Sequence, residues 1–280
     1  MRAAVPALSA AAVVMSALLV GCAEQPPAVA PTVPAAPQPD ASGDGVLRFG
    51  TLFSSTGAYA DYSGAQVAGV ELAVRDLNAA GGVGGRPVEV VHRNAADGGQ
   101  PATDALAQLI EKGVDVVLGP TATSVAKSLL ADPAIDGVLL LTPAFVDAGR
   151  ADELVPTGLF RTVADAGTPT RADDDFLGRL TVVDPGLTDT ALAAEAYDAT
   201  LAAALAAVAA GDDGAASVAW ALPTVTTGGY GCTVLGVCLE ALAASIDIDY
   251  AGVSGPFDIP GPGNTRGSAS AGRPPGAAGD

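Results

Sequence analysis

Val46-Leu47-Arg48-Phe49-Gly50-Thr51-Leu52-Phe53 is a mostly apolar run rich in β-branched and aromatic residues, the pattern of a largely buried strand. A turn of small and hydroxyl-bearing residues follows, Ser54 to Tyr62. Val67, Val70, Ala73, Val74 and Leu77 then recur at i, i+3, i+6, i+7 and i+10, which is one face of a helix. Asn78-Ala79-Ala80-Gly81-Gly82 ends it, with glycine available for a left-handed cap, and Pro87–Val91 begins a second strand. This is a β-α-β unit, and such units build parallel sheets with helices on their faces. Ligands of those sheets sit beyond the carboxyl ends of the strands. Ser54–Tyr62 occupies that position and is the first candidate site.

The same alternation continues. Pro101–Gly113 carries Leu106, Leu109 and Ile110 on one face and reads as a helix; Val114–Leu118 reads as a strand. That strand runs into the hydroxyl-rich turn Gly119-Pro120-Thr121-Ala122-Thr123-Ser124. A short helix over Val125–Ala131 leads to a further strand, Gly137–Leu141, and to Thr142-Pro143-Ala144. Three strands therefore end in turns of small and hydroxyl residues, all expected on one edge of a parallel sheet. Small residues let backbone N–H groups approach a ligand, and helix N-termini beside them favour a carboxylate. Ser55, Thr56, Thr121, Thr123 and the backbone at Ala144 together offer the donors and acceptors that a zwitterionic amino acid needs. The competing role for these hydroxyls is to cap the helices that follow. Further on, Leu192–Gly211 reads as an alanine-rich helix and Ala215–Leu222 as a short one, with Trp220 assigned to core packing.

Composition narrows the function. The chain has 280 residues and a formal charge of −18, from 13 Lys+Arg against 31 Asp+Glu. That balance excludes nucleic acid as a partner, because phosphate neutralisation needs clustered cations, and it excludes electrostatic docking on anionic lipid. Arg2, the apolar run Ala3–Val20 and Leu19-Val20-Gly21-Cys22 resemble a bacterial lipoprotein signal over residues 1–21, with Cys22 as the lipidated first residue of the mature chain; an ordinary secretory signal is the alternative. Residues 22–45 are proline-rich and read as a solvated tether. Residues 261–280 are a Gly/Pro/Ser tail expected to be disordered. Cys232 and Cys238, in an exported chain, read as a local disulfide. A zinc site wants four N or S ligands, and His92 is the one histidine. No phosphate loop, dinucleotide fingerprint or nucleophile elbow occurs. His92 reads as a strand residue rather than a general base, Asp97 and Asp104 as loop and helix-start carboxylates, and Asp173-Asp174-Asp175 as a solvated charge run. No catalytic constellation, metal site or cofactor site assembles.

Thr56-Gly57 after the first strand, followed by Leu72-Ala73-Val74-Arg75-Asp76-Leu77-Asn78-Ala79-Ala80-Gly81-Gly82-Val83-Gly84-Gly85-Arg86, resembles the type I periplasmic binding proteins. More narrowly, it resembles the branched-chain amino-acid (Leu/Ile/Val) substrate-binding components of ABC importers. The resemblance covers Val46–Thr162 and returns over Asp189–Ile259, where Ala196-Tyr197-Asp198-Ala199 and the closing Asp247–Asp258 are similar to the family's late helix and final strand. It implies an α/β fold with a Rossmann-like parallel sheet flanked by helices. The first lobe spans 46–162, a junction over 163–188 replaces most of the second lobe, and 189–260 supplies C-terminal helices and a closing strand. It implies that Tyr62 packs on the ligand, that Thr123 holds its carboxylate and that Ala144 presents backbone to it; Val146 stands where leucine-type members often carry Thr. The partners implied are a small solute, an ABC permease and its ATPase, with the membrane reached through lipid on Cys22. The expected function is extracytoplasmic binding of branched-chain amino acids, with no catalysis. The alternatives are a ligand-presenting sensor of the same fold, a short-chain amide or urea binder, a truncated remnant that binds nothing, and a secreted hydrolase using His92.

Overall fold

Five parallel strands organise the chain: β1 (Arg48–Phe53), β2 (Glu89–Asn94), β3 (Val116–Leu118), β4 (Leu139–Thr142) and β5 (Phe160–Thr162), in the spatial order β2-β1-β3-β4-β5. The computed structural model describes residues 37–57, 59–144, 159–162, 172–256 and 258–259. The expected signal with Cys22, residues 22–36 of the tether, Val146, residues 163–171 of the junction and the tail 261–280 lie outside the described residues.

Side chains alternate across the sheet and both faces are covered, which is why its inner strands read as unbroken apolar runs. Phe49, Phe53, Val116, Leu118, Leu139 and Leu141 enter one apolar layer. Leu52, Val117, Leu140 and Phe160 enter the other. Helices α1 (Ala60–Ala79), α5 (Ala193–Ala210) and α6 (Ala215–Thr226) supply the first layer; α2 (Gln100–Glu111) and α3 (Thr123–Leu130) supply the second. Each of the large side chains that loses all exposure contributes about 1.5–3 kcal/mol, so the sheet and its two layers are the source of stability.

Helix α5 is long and apolar enough to cross a membrane by composition, yet 83% of it is buried inside the fold. Its alanines serve close packing. A Cβ placed on Gly69 of α1 would lie 2.1 Å from the carbonyl oxygen of Ala193, so the two helices meet backbone to backbone.

Three polar connections fix the remaining pieces. Residues 173–175 are exposed, as expected of a solvated charge run, and they also open a helix, α4 (Asp174–Val183): Asp173 is its N-cap, accepting from Phe176 N at 2.8 Å, and Asp174 and Asp175 fill the acidic first turn. Tyr197 of α5 donates to Asp76 Oδ2 of α1 at 2.7 Å, and Arg179 of α4 pairs with the same carboxylate. Asp198 is fully buried and accepts from Tyr250 Oη at 2.9 Å, Val253 N at 3.1 Å, Ser254 N at 2.6 Å and the Ser254 hydroxyl. The late Tyr-Asp pair thus joins α5 to α1 on one side and to the closing strand on the other.

That closing strand belongs to a second, three-stranded sheet: β6 (Tyr230–Cys232), β7 (Ile248–Gly252) and β8 (Gly255–Pro256), in the order β6-β7-β8. The β6–β7 pairing is parallel and is bridged by α7 (Leu235–Ala243). Cys232 and Cys238 form a disulfide, with Cα atoms 5.5 Å apart, that staples α7 to β6.

Candidate functional site

Because β1 to β5 run in one direction, their carboxyl ends make a single edge. Along it lie Asn94–Asp97 after β2, Ser54–Gly57 after β1, Gly119–Thr123 after β3 and Thr142–Ala144 at the end of β4. The neighbouring turns are bound to one another. Asn94 accepts from Ser55 N at 2.9 Å and from Ala96 N at 2.8 Å, and donates to Thr56 Oγ1 at 3.1 Å. Thr142 Oγ1 donates to the carbonyl of Gly119 at 3.0 Å, joining β4's end to β3's. Two glycines are required by this crowding. Gly57, at φ +86°, lies against the Asp97 carboxylate, and Gly119, at φ +115°, lies against the Leu52 carbonyl; a side chain at either would collide with its neighbour.

The six positions expected to bind ligand fall into two groups. Ser55 and Thr56 are exposed at the end of β1, and Tyr62 is half-buried in the first turn of α1. Thr121, Thr123 and Ala144 are buried, at 0%, 1% and 3% exposure. Thr121 Oγ1 donates to Gln66 Oε1 at 2.7 Å, so that hydroxyl positions α1 against β3. Thr123 is the first residue of α3, whose N-cap, Ala122, supplies no side-chain hydrogen bond. The positive end of the α3 dipole lies at this turn and favours an anion there.

Sequence reasoning missed Asn94 and Gln66, and it placed Ser54 in the candidate turn without giving it a role of its own. Gln66 stands at i−4 from Val70 and i−7 from Ala73, on the apolar face of α1, and a polar residue on a buried stripe is the signal that marks it. Ser54 Oγ and Gln66 Nε2 are buried and have no hydrogen-bond partner among the described residues. Two unsatisfied polar atoms beside one rim mark a place where a polar group of a ligand or a water is needed.

The charged groups near the sheet are structural. Burial holds the Arg161 guanidinium of β5 below its ordinary range, and its Nη1 donates to the Phe160 carbonyl at 2.7 Å. His92 lies in β2, with Nδ1 2.8 Å from Thr51 Oγ1 and Nε2 3.0 Å from Glu71 Oε1. This hydroxyl–imidazole–carboxylate series resembles a hydrolytic triad in connectivity only. Thr51 is 1% exposed in the sheet, out of reach of a substrate. Among the described residues no group of three His, Cys, Asp or Glu is placed to hold a metal.

Residues 46–172 match the family model for periplasmic binding proteins. That stretch begins at β1 and ends where α4 is about to start, so it contains the whole five-stranded sheet and its rim. Over this stretch the chain is similar to the periplasmic binding proteins. The chain is 31% identical over 146 residues to the Leu/Ile/Val-binding protein homolog 8 of Brucella abortus (strain 2308), covering 50% of this chain and 34% of the relative. The corresponding protein of Brucella suis biovar 1 (strain 1330) gives the same figures. The chain thus spans about a third of the length of the curated relatives it matches. Among solved structures, the branched-chain amino acid transporter substrate binding protein LivJ from Streptococcus pneumoniae, in complex with isoleucine, aligns with a TM-score of 0.52. The alignment covers 80% of this chain and 98% of that one at 14% identity, a likeness of fold.

Proposed function

We propose that this chain is the extracytoplasmic solute-binding component of an ABC importer, holding a branched-chain amino acid or a similar small amphipathic solute on the rim of its sheet. The observation that carries this reading is the common edge. Three adjacent strands of a family-matched parallel sheet, β1, β3 and β4, end in small and hydroxyl residues, beside the N-terminus of α3. The α3 amides and Thr123 take the carboxylate, while Ser55, Thr56 and the Ala144 carbonyl face the ammonium group. Tyr62 covers the apolar side chain. Thr121 holds the rim in shape through Gln66.

Cys22 carries lipid and keeps the chain at the outer face of the membrane, and the Pro-rich tether gives it reach. A permease and ATPase supply transport energy. Residues 163–188 stand in place of most of a second lobe. Such binders bury their ligand by closing two lobes around it, so a ligand held by one lobe stays half solvated and binds weakly.

Calorimetry of the purified chain against leucine, valine and acetamide tests the proposal. We expect saturable heat for leucine or valine, reduced at least tenfold in affinity by Tyr62→Ala or Thr123→Val. Folded protein that gives neither heat nor a thermal shift with any of the three would overturn it and favour a remnant without a ligand.

A further inference from the structure

Exposed large apolar side chains are concentrated in one small part of the molecule. Among the described residues they are Val182, Tyr230, Val234, Val237 and Ile246, and four of the five lie on β6, α7 and the turns that flank the helix. Val234, the N-cap of α7, is 60% exposed; Val237 in its first turn is 41% exposed, with the exposed Glu240 three residues further along the same face. Within α7 only Cys238 and Ala241 are buried. Gly231 and Gly236 have open space where a Cβ would stand, so another backbone can come close. Strand β6 pairs with β7 alone and forms the edge of its sheet.

The charge around this surface has one sign. From Leu180 to Thr265 the sequence contains ten Asp and Glu and no Lys or Arg. Glu240 and Asp247 are exposed beside the apolar side chains. Burial, then the neighbouring Asp258 and Asp247 carboxylates, raise the Asp249 carboxyl above its ordinary range, the mark of crowded negative charge. A second copy of this chain would bring the same carboxylates against these, and anionic lipid would be repelled. What complements an apolar face in an anionic field is a segment with apolar anchors flanked by cations.

We propose that the outer face of α7 with the edge of β6 is a docking surface for a cationic amphipathic segment of a partner protein. Apolar side chains of that segment lie on Val234, Val237 and Tyr230, and its Lys or Arg side chains reach Glu240 and Asp247. The surface shares no residue with the rim and does not depend on the proposed solute. The disulfide serves it by holding α7 on β6 although only two of the helix's residues are buried.

The test uses a fluorescent Lys/Leu amphipathic helical peptide and its Glu/Leu counterpart, titrated into the full purified chain by anisotropy at low and high salt. A Val234→Ser/Val237→Ser variant leaves every charge in place, and circular dichroism establishes that it is folded. We expect saturable binding of the Lys/Leu peptide, weakened about tenfold or more in the serine variant, a difference of about 1.4 kcal/mol, and no binding of the Glu/Leu peptide. Equal binding of the Lys/Leu peptide by both proteins overturns the proposal, since charge alone then accounts for it. So does sedimentation showing a dimer that the serine variant abolishes, since a second copy then occupies the face.

Discussion

Replacing Asp198 sets two opposing effects against each other. Its carboxylate is fully buried and accepts four hydrogen bonds, from Tyr250, Val253 and both the backbone and hydroxyl of Ser254. Asp198→Ala leaves a buried phenol and two backbone N–H groups without their acceptor, at about 1–3 kcal/mol each when water cannot reach them. Val253 and Ser254 are only half-buried, so the sum settles at about 3–5 kcal/mol. Against this stands desolvation of the charge, the largest influence on its carboxyl, which is pushed from 3.8 up to about 6 despite the four donors. A shift of that size disfavours the charged form by about 3 kcal/mol. The sign follows from linkage. Between pH 4 and 6 the folded state binds this proton and the unfolded state does not, so this group's contribution to stability falls as pH rises through that window. Asp198→Asn removes the titration while keeping the shape. Urea unfolding of the chain and of both variants at pH 4.5 and 7 measures it. The alanine variant is expected to lose stability at both pH values, and the wild-type advantage over the asparagine variant to shrink on going to pH 7. An advantage that grows with pH would refute the reasoning, because the donors would then outweigh desolvation.

The other predictions probe packing and ionisation separately. Gly69→Ala raises helix propensity by about 1 kcal/mol but drives a methyl into the Ala193 carbonyl, a backbone atom that cannot swing aside; overpacking costs of about 1–3 kcal/mol, taken near their upper end, leave an expected net loss of about 2 kcal/mol in urea unfolding. Cys232→Ser/Cys238→Ser opens a link across a sequence separation of 6 and lowers stability by about 2 kcal/mol on the chain-entropy model, with earlier hydrogen exchange in α7 as its local signature. Asp115 accepts from Arg48 N at 2.9 Å, yet burial, then the backbone donor's smaller opposing effect and the nearby Asp213 and Asp44, leave its carboxyl at about 7. Its contribution to stability therefore falls as pH rises from 4 to 7, and Asp115→Asn flattens that part of the pH profile of the thermal midpoint.

The first half of the fold was legible because its two periods are clean. The strand run at Val46–Phe53, the helix stripe from Val67 to Leu77 and the strand ends at Leu118 and Leu141 all lie where alternation placed them, within a few residues. So does the alanine-rich helix, whose ends shift by one residue each. Other pieces carried weaker signals. Helix α7 is apolar on nearly every side, so no period separates its inner from its outer face. Helix α6 runs through Pro223 to Thr226, four residues past the expected end at Leu222; Pro223 stands near its end, where Leu222 still accepts from the Thr226 hydroxyl. Strand β6 is short and glycine-flanked and was not expected. In α4 the three aspartates masked a helix start, since an N-cap and an acidic first turn look like a charge run without the fold around them. The rim was legible as composition, but its internal wiring was not: Asn94 and Gln66 are single polar residues whose partners come from distant segments.

The central claim is that turns following several parallel strands hold one solute together. Amide chemical shifts of the isotopically labelled chain, titrated with leucine or valine, test it most directly. The account predicts saturable shifts clustered at Ser55–Gly57, Tyr62, Thr121–Ser124 and Ala144, with α7 and the second sheet unmoved. Shifts confined to any single one of those turns, or located on the far ends of the strands, would contradict it.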